Sequence, residues 1–471
     1  MLKDNRVPII ESLEQHQQRS QSNFHVPGHK QGNAVPSFSW LQEIAKYDLT
    51  EVGELDDLHQ PEGVIAEAQS LASKAFGAQK TWFLVGGTTA GILAAVLSVC
   101  KPGEKILIAR NSHQAVYHGC YLAGAEAVCM ETRFDPITQK ELPYTADLVD
   151  QYLRTYSDIQ AVFLTSPNYY GRILPISEIA TRCHQANVPL LVDEAHGAHF
   201  AFHPFLPASA LSSGADLVVQ STHKMLPSFT MSSMLHIQGS LLDEEAISEA
   251  LRMVESSSPS YPLLASLDLA RQIMEQQGEK LLDKKMGELN DFRVYLRNLK
   301  YITELHSPNQ DPFKIYLSAN KSVTGFHIAE WLEKKGIYTE LADAFGVLAV
   351  ASIGSKKADF LLLQQALDEL DQEISTWAAE EIPRFPDSRI SSHSISYESI
   401  RKKEVVWLPI TDVVGKFAAK SIIPYPPGVP TILPGEVYTE SKLAWLQKLV
   451  QAGAKIRGIR LSSSLFVSVL Q

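Results

Sequence analysis

Asp216-Leu-Val-Val-Gln-Ser-Thr-His-Lys224 is a β-branched apolar run that ends in two hydroxyls, an imidazole and an amine. Upstream, Pro189-Leu-Leu-Val-Asp-Glu-Ala-His-Gly-Ala-His199 repeats the pattern, an apolar run that stops at acids and imidazoles. Five further runs flank these two: Thr81–Val85, Lys105–Ala109, Ala127–Met130, Ala161–Thr165 and Ser233–Ile237. Short continuous apolar runs alternating with helical stretches predict an α/β fold with a mostly parallel seven-stranded sheet. Open sheets of this kind bind ligands beyond the carboxyl ends of their strands. Chemistry is therefore expected just after each run.

Four such loops carry it. An arbitrary lysine is a solvated surface charge, but Lys224 stands at a strand end beside Ser221 and His223, which suits a Schiff base with a cofactor aldehyde. Asp193 ends its own run, where a carboxylate can accept a hydrogen bond from a pyridine nitrogen and keep it protonated. Gly86-Gly87-Thr88-Thr89-Ala90-Gly91 opens an apolar helix. Small residues there leave backbone N–H groups for an anion, and the threonines add hydroxyls, although such turns often serve only tight packing. Arg110-Asn111-Ser112-His113 offers an imidazole able to stack on a planar ring; alone, it is an ordinary loop histidine. Together the loops point to pyridoxal 5′-phosphate.

Two rival readings attach to Asp193-Glu-Ala-His196. D-E-A-H occurs in helicase-type NTPases, but no G-x-x-x-x-G-K-[ST] loop accompanies it. His196 and His199 with Asp193 could ligate a metal, yet they lack the i,i+4 spacing of zinc proteases, so none is expected.

The chain resembles the Orn/Lys/Arg decarboxylase family. The resemblance rests on Ser221–Lys224, Val192–Phe200, His25–Gly32 (H-V-P-G-H-K-Q-G), Asp48–Gly63, Ser257–Tyr261, Gly336–Asp343 and the Y-P-P-G-V-P and P-G-E turns at 425–430 and 434–436. It spans nearly the whole chain and implies the aspartate-aminotransferase-like fold (fold type I), in a short form without an N-terminal wing domain. It further implies that Lys224 binds the cofactor, Asp193 pairs with the pyridine nitrogen and His113 stacks on the ring. Gly87, Thr88, Thr89 and Ser221 would hold the phosphate, with Ala195 and His196 beside the ring and Lys224 or His223 delivering a proton to Cα. The resemblance also implies a homodimer, or an assembly of dimers, in which Ser257 or Ser258 reaches the partner's phosphate. The chain departs from the family pattern at Gly86, Thr88, Asn168 and Met231.

The implied reaction is decarboxylation of a basic amino acid: arginine first, giving agmatine and carbon dioxide for polyamine biosynthesis, then lysine or ornithine. The substrate's distal cation needs a carboxylate, and Glu436, Glu340, Asp343 and Asp56 are the candidates, each equally readable as a solvated or structural acid. The alternatives are another fold-type-I lyase or aldolase, and a non-catalytic regulator that binds the cofactor.

The 471 residues are 45% hydrophobic and 20% charged, with a formal net charge of −11 and no long basic run, which disfavours nucleic acid. The longest apolar stretch, around Ala90–Cys100, is about half the ~20 residues a spanning helix needs. No apolar leader follows Met1, and the four cysteines have no C-x-x-C spacing, so a cytoplasmic protein with reduced thiols is expected. The expected organisation is an N-terminal segment 1–75 that contributes to site and dimer, a large cofactor-binding domain 76–300, a small α/β subdomain 301–372, a linker 373–403 and a C-terminal domain 404–471.

Overall fold

A computed structural model describes residues 5–35, 38–135, 140–307, 309–386, 389–390, 393–425, 428–462 and 464–471. Pro426 and Pro427 of the Y-P-P-G turn lie outside them. The chain divides into two compact units, Met1–Val99 with Ile176–Asp283, and Cys100–Pro175 with Lys284–Gln471.

In the first unit four strands lie in the order Lys80–Leu84, Ser233–Ile237, Leu217–Gln220, Leu190–Asp193. Leu190–Asp193 and Leu217–Gln220 are parallel, while Ser233–Ile237 runs antiparallel to both of its neighbours. Three strands thus point one way, and Val85, Asp193 and Gln220 finish at one edge. The antiparallel strand starts at that same edge, with Ser233 paired to Leu84. Every residue of the 190–193, 217–220 and 233–237 strands is buried, which is why their sequences read as mostly apolar runs rather than alternating ones.

Helix Gly87–Val99 packs against these strands. A Cβ at Gly91 would stand 2.6 Å from Val219 Cγ1 and 2.7 Å from Leu84 Cδ1, so the missing side chain is what lets the helix start lie on the sheet. On the outer strand, the Phe83 N–H donates to Gln69 Oε1 of helix Val64–Phe76 at 2.8 Å, which satisfies a donor the sheet leaves over.

The second unit carries Ile159–Thr165, Lys105–Ile108 and Glu126–Cys129 side by side and parallel, followed by His393–Ser396, which is antiparallel to Glu126–Cys129. All seven predicted runs are strands. The eighth lies in the stretch read from sequence as a linker; its H-S-I-S pattern, with Ile395 only 1% exposed, is the period-two signal of a half-buried edge strand. Next comes an antiparallel sheet ordered Leu341–Ala342, Val347–Val350, Lys314–Ala319, Ile302–Glu304. The last part pairs Val405–Pro409, Leu465–Leu470 and Ile459–Leu461. Its core joins Val413, Ile422, Tyr438, Leu446 and Val467. Cys100, Cys120, Cys129 and Cys183 are buried and unbridged. Among the described residues no helix is long and apolar enough to cross a membrane.

Candidate active site

Strand direction brings the first cluster together. Asp193 closes its strand, is 3% exposed, and accepts the Ala195 N–H on Oδ1 at 3.1 Å. Burial raises its pKa, and the positive charge of Lys224 opposes that rise. Lys224 sits in the single helical turn Thr222–Met225 that follows Leu217–Gln220. Its Nζ lies 3.1 Å from Nε2 of His196, which is 5% exposed. The His223 Nδ1 lies 2.8 Å from the Ser232 carbonyl, which makes Nδ1 the protonated nitrogen of the neutral ring. Burial lowers the His223 pKa.

The second cluster is a hydroxyl cradle. Helix Gly87–Val99 begins at Gly87, whose φ of +76° favours glycine. One residue in, the Thr88 Oγ1 is 2.6 Å from Ser221 Oγ and 3.1 Å from Ser233 Oγ, and all three residues are buried. Thr89 is exposed. Three hydroxyls beside the free amides of a helix start suit a phosphate, and a buried carboxylate and an amine stand at the neighbouring strand ends. These donor types fit pyridoxal phosphate. Ser233 was not singled out from the sequence; the signal was its position as the first residue of a strand antiparallel to Thr81–Val85. Met231, a departure noted above, holds φ +79°, uncommon for a side chain of its size.

Behind Asp193 runs a buried polar chain that the sequence did not reveal. Glu194 accepts the Ala210 N–H and the Gln220 Nε2–H, both at 2.7 Å. Gln220 Oε1 is 3.2 Å from His236 Nε2, and His236 Nδ1 is 2.8 Å from Thr81 Oγ1. Burial pushes the Glu194 pKa up to about 8 and the His236 pKa down to about 3. Gly197 leaves room for Glu194: a Cβ there would be 2.5 Å from its Cγ.

His113 belongs to the second unit. It caps helix Gln114–Ala123, its Nδ1 accepting the Ala115 N–H at 3.2 Å. Gly428 allows backbone to approach the ring, since a Cβ there would be 3.2 Å from His113 Nε2.

Each of the four candidate acids already has partners. Asp56 accepts the N–H groups of Gly63 at 2.7 Å and Ile65 at 3.1 Å, at the start of helix Val64–Phe76. Glu340, exposed, accepts the Tyr169 hydroxyl. Asp343 pairs with Lys140 and accepts the Tyr170 and Tyr316 hydroxyls at 2.8 and 2.6 Å. Burial would raise its pKa, but Lys140 and these bonds hold it below the ordinary value. Glu436, 8% exposed, lies 3.0 Å from Arg110 Nη2 and 3.5 Å from Lys442 Nζ. Arg110 also donates to the Pro430 and Thr431 carbonyls at 2.7 and 3.0 Å. Ser257 and Ser258 are exposed.

Residues 7–314 match the major domain of Orn/Lys/Arg decarboxylase, and residues 378–460 match its C-terminal domain. An arginine decarboxylase of Halalkalibacterium halodurans is 34% identical, covering 97% of this chain and 96% of its own. One from Bacillus subtilis is 32% identical with the same coverage. The crystal structure of the Francisella novicida lysine decarboxylase LdcF superposes with a TM-score of 0.84 at 22% identity, over all of this chain and 82% of that one. That likeness bears out the expected fold-type-I architecture. The chain belongs to the Orn/Lys/Arg decarboxylase family.

Proposed function

We propose that the chain is a pyridoxal-phosphate-dependent decarboxylase of basic amino acids, with arginine as the preferred substrate and agmatine and carbon dioxide as products, serving polyamine synthesis. One observation carries the reading. Asp193, the Lys224–His196 pair and the Thr88–Ser221–Ser233 cradle converge in one unit at the ends of co-directional strands. The family and its arginine-decarboxylating members set the order of substrates.

Pyridoxal phosphate supplies the electron sink that makes loss of a Cα carboxylate possible. The chain supplies the rest. Lys224 Nζ is the covalent anchor, and His196 Nε2 can take its proton so that it becomes a nucleophile. The Asp193 carboxylate, 3% exposed, would hold a proton on the pyridine nitrogen; a cation there would restore the ionised form that burial alone disfavours. Thr88, Ser221 and Ser233 donate hydroxyls to the phosphate and fix the ring's position. His223, with Nδ1–H committed to Ser232 and its pKa lowered, is neutral near pH 7. Lys224 would supply the proton that Cα takes up as carbon dioxide leaves, with His223 as the other candidate donor. We further propose a cytoplasmic homodimer; buried free thiols suit a reducing compartment, and Ser257, Ser258 and the exposed Phe24 and Trp40 suit a partner surface.

The test is a spectral titration of cofactor-loaded protein with arginine, lysine and ornithine, with products identified. Carbon dioxide and agmatine are expected from arginine at the highest kcat/KM. Aldehyde or ammonia as the main product, or inertness towards all three, would overturn the proposal.

A further inference from the structure

One acid at the cradle has no place in the reaction above. Glu255 follows helix Glu244–Val254, far in sequence from the glycine turn, yet its Oε1 accepts the Gly86 N–H at 3.1 Å. A Cβ on Gly86 would be 3.0 Å from Glu255 Oε2 and 3.2 Å from Cδ. The carboxyl thus fills the space that any other residue at 86 would claim, which gives the departure at Gly86 a physical reason. Its Oε2 is buried without a hydrogen-bond partner among the described residues.

A carboxylate in that place has two effects. It takes the first N–H of the turn, so the turn's orientation is fixed and the following amides are left for an anion. It also sets a negative charge one residue from the start of a helix read here as a phosphate site, where two like charges raise each other's cost of ionisation. Helix Gly87–Val99 contributes no ionisable side chain. The groove on the other side of Glu255 is lined by His59, Glu62 and Lys80, and Lys80 is engaged by Glu244. His59 Nε2 lies 2.9 Å from the Ser256 carbonyl. On its own helix the nearest charge is Arg252, which is exposed.

We propose that Glu255 is a proton-coupled positioning residue of the phosphate cradle, holding the Gly86–Gly87 turn through the Gly86 N–H and carrying a proton on Oε2 whenever a phosphate dianion occupies that turn. The inference rests on the cradle being the cofactor's phosphate site. Burial already pushes the Glu255 pKa up to about 7, against the hydrogen bonds from Gly86 and Val85, so a proton is available near neutrality. A bound dianion raises it further. As pH rises past that value the side chain ionises, binding must take up a proton, and phosphate affinity falls.

The experiment measures dissociation constants of the apo-protein for pyridoxal phosphate and for pyridoxal, from about pH 6 to about pH 8.5. The ratio of the two isolates the phosphate from the chemistry at Lys224. In the wild type the phosphate's contribution should drop about tenfold across that range, roughly one proton's worth of linkage. Glu255→Gln should keep the wild type's acidic value throughout, since the amide oxygen still accepts the Gly86 N–H without charge. Glu255→Ala should bind pyridoxal phosphate more weakly at every pH. A pH slope in Glu255→Gln equal to that of the wild type overturns the inference. If Glu255→Gln does not fold, calorimetry of the wild type near pH 8 in two buffers decides: proton uptake in excess of that with pyridoxal supports it, and none overturns it. Equal affinity for pyridoxal and pyridoxal phosphate would instead sink the cradle reading itself.

Discussion

Lys224 Nζ and His196 Nε2 stand 3.1 Å apart, an amine and an imidazole from two different strand ends in hydrogen-bonding contact. A cationic amine is a poor nucleophile, so an adjacent base is what turns a lysine into a covalent anchor. His196 is buried and Lys224 is exposed, so the base lies on the inner side of the pair.

Lys224→Ala removes the proposed anchor. The purified variant should lack the ~420 nm absorbance of lysine-bound cofactor, and turnover should fall by about 10² to 10⁴, the usual scale for a lost proton-transfer group. Retained absorbance at that wavelength would place the anchor elsewhere.

Asp193→Asn keeps the shape but exchanges an acceptor for an amide that cannot hold the ring proton. Cofactor should still bind, and kcat should fall by about 10² to 10³, as when one preorganised electrostatic group is lost. Near-normal kcat with full cofactor content would contradict the role given to Asp193.

Gly91→Val tests whether helix placement governs the cradle. The new side chain would collide with Val219 and Leu84. Overpacking of this kind costs about 1–3 kcal/mol, to be read as a lower urea midpoint. Pyridoxal phosphate affinity should fall with it, because the helix start carries Thr88. A stable variant with unchanged affinity would separate helix placement from binding.

Arg110→Ala leaves Glu436 buried with Lys442 as its counter-ion among the described residues, and breaking such a pair costs about 3–5 kcal/mol. Burial alone would push the Glu436 pKa up, but Arg110 and Lys442 outweigh it and hold it below 4.5. A carboxyl depressed in the fold adds stability above its unfolded value and loses it as pH falls through the lower folded one. Urea midpoints of wild type and Glu436→Gln should therefore differ at neutral pH and converge in acid. A gap that widens in acid would show that the ion pair does not stabilise the fold.

The convergence of Asp193 and Lys224 was legible in the sequence because strand polarity does most of the placing. Once Leu190–Asp193 and Leu217–Gln220 are read as parallel strands, Asp193 and Lys224 must lie near one edge. Ser233 was hidden because its strand reverses direction, so its start rather than its end faces the site. Glu194, Gln220 and His236 were hidden for another reason: just past or within buried strands they are isolated polar letters, and only the register across strands joins them. Glu255 gave no signal, since an acid at the end of an amphipathic helix reads as solvated. The acids proposed for the substrate failed to separate for the opposite reason, because sequence lists carboxylates without their counter-ions.

The surroundings of Asp343 carry a consequence for substrate choice. The Lys140 ammonium sits 3.8 Å from the ring centre of Tyr170 and 4.1 Å from that of Tyr316, with Asp343 as its counter-ion. This aromatic cage is what a free diamine or a basic side chain would seek, and it is already filled by a tethered guest. A tethered group competes at an effective concentration of about millimolar or higher, so a dissolved amine must displace a rival that never diffuses away. The cage is self-quenched: its aromatic faces and its carboxylate are already engaged by a cation of the same chain.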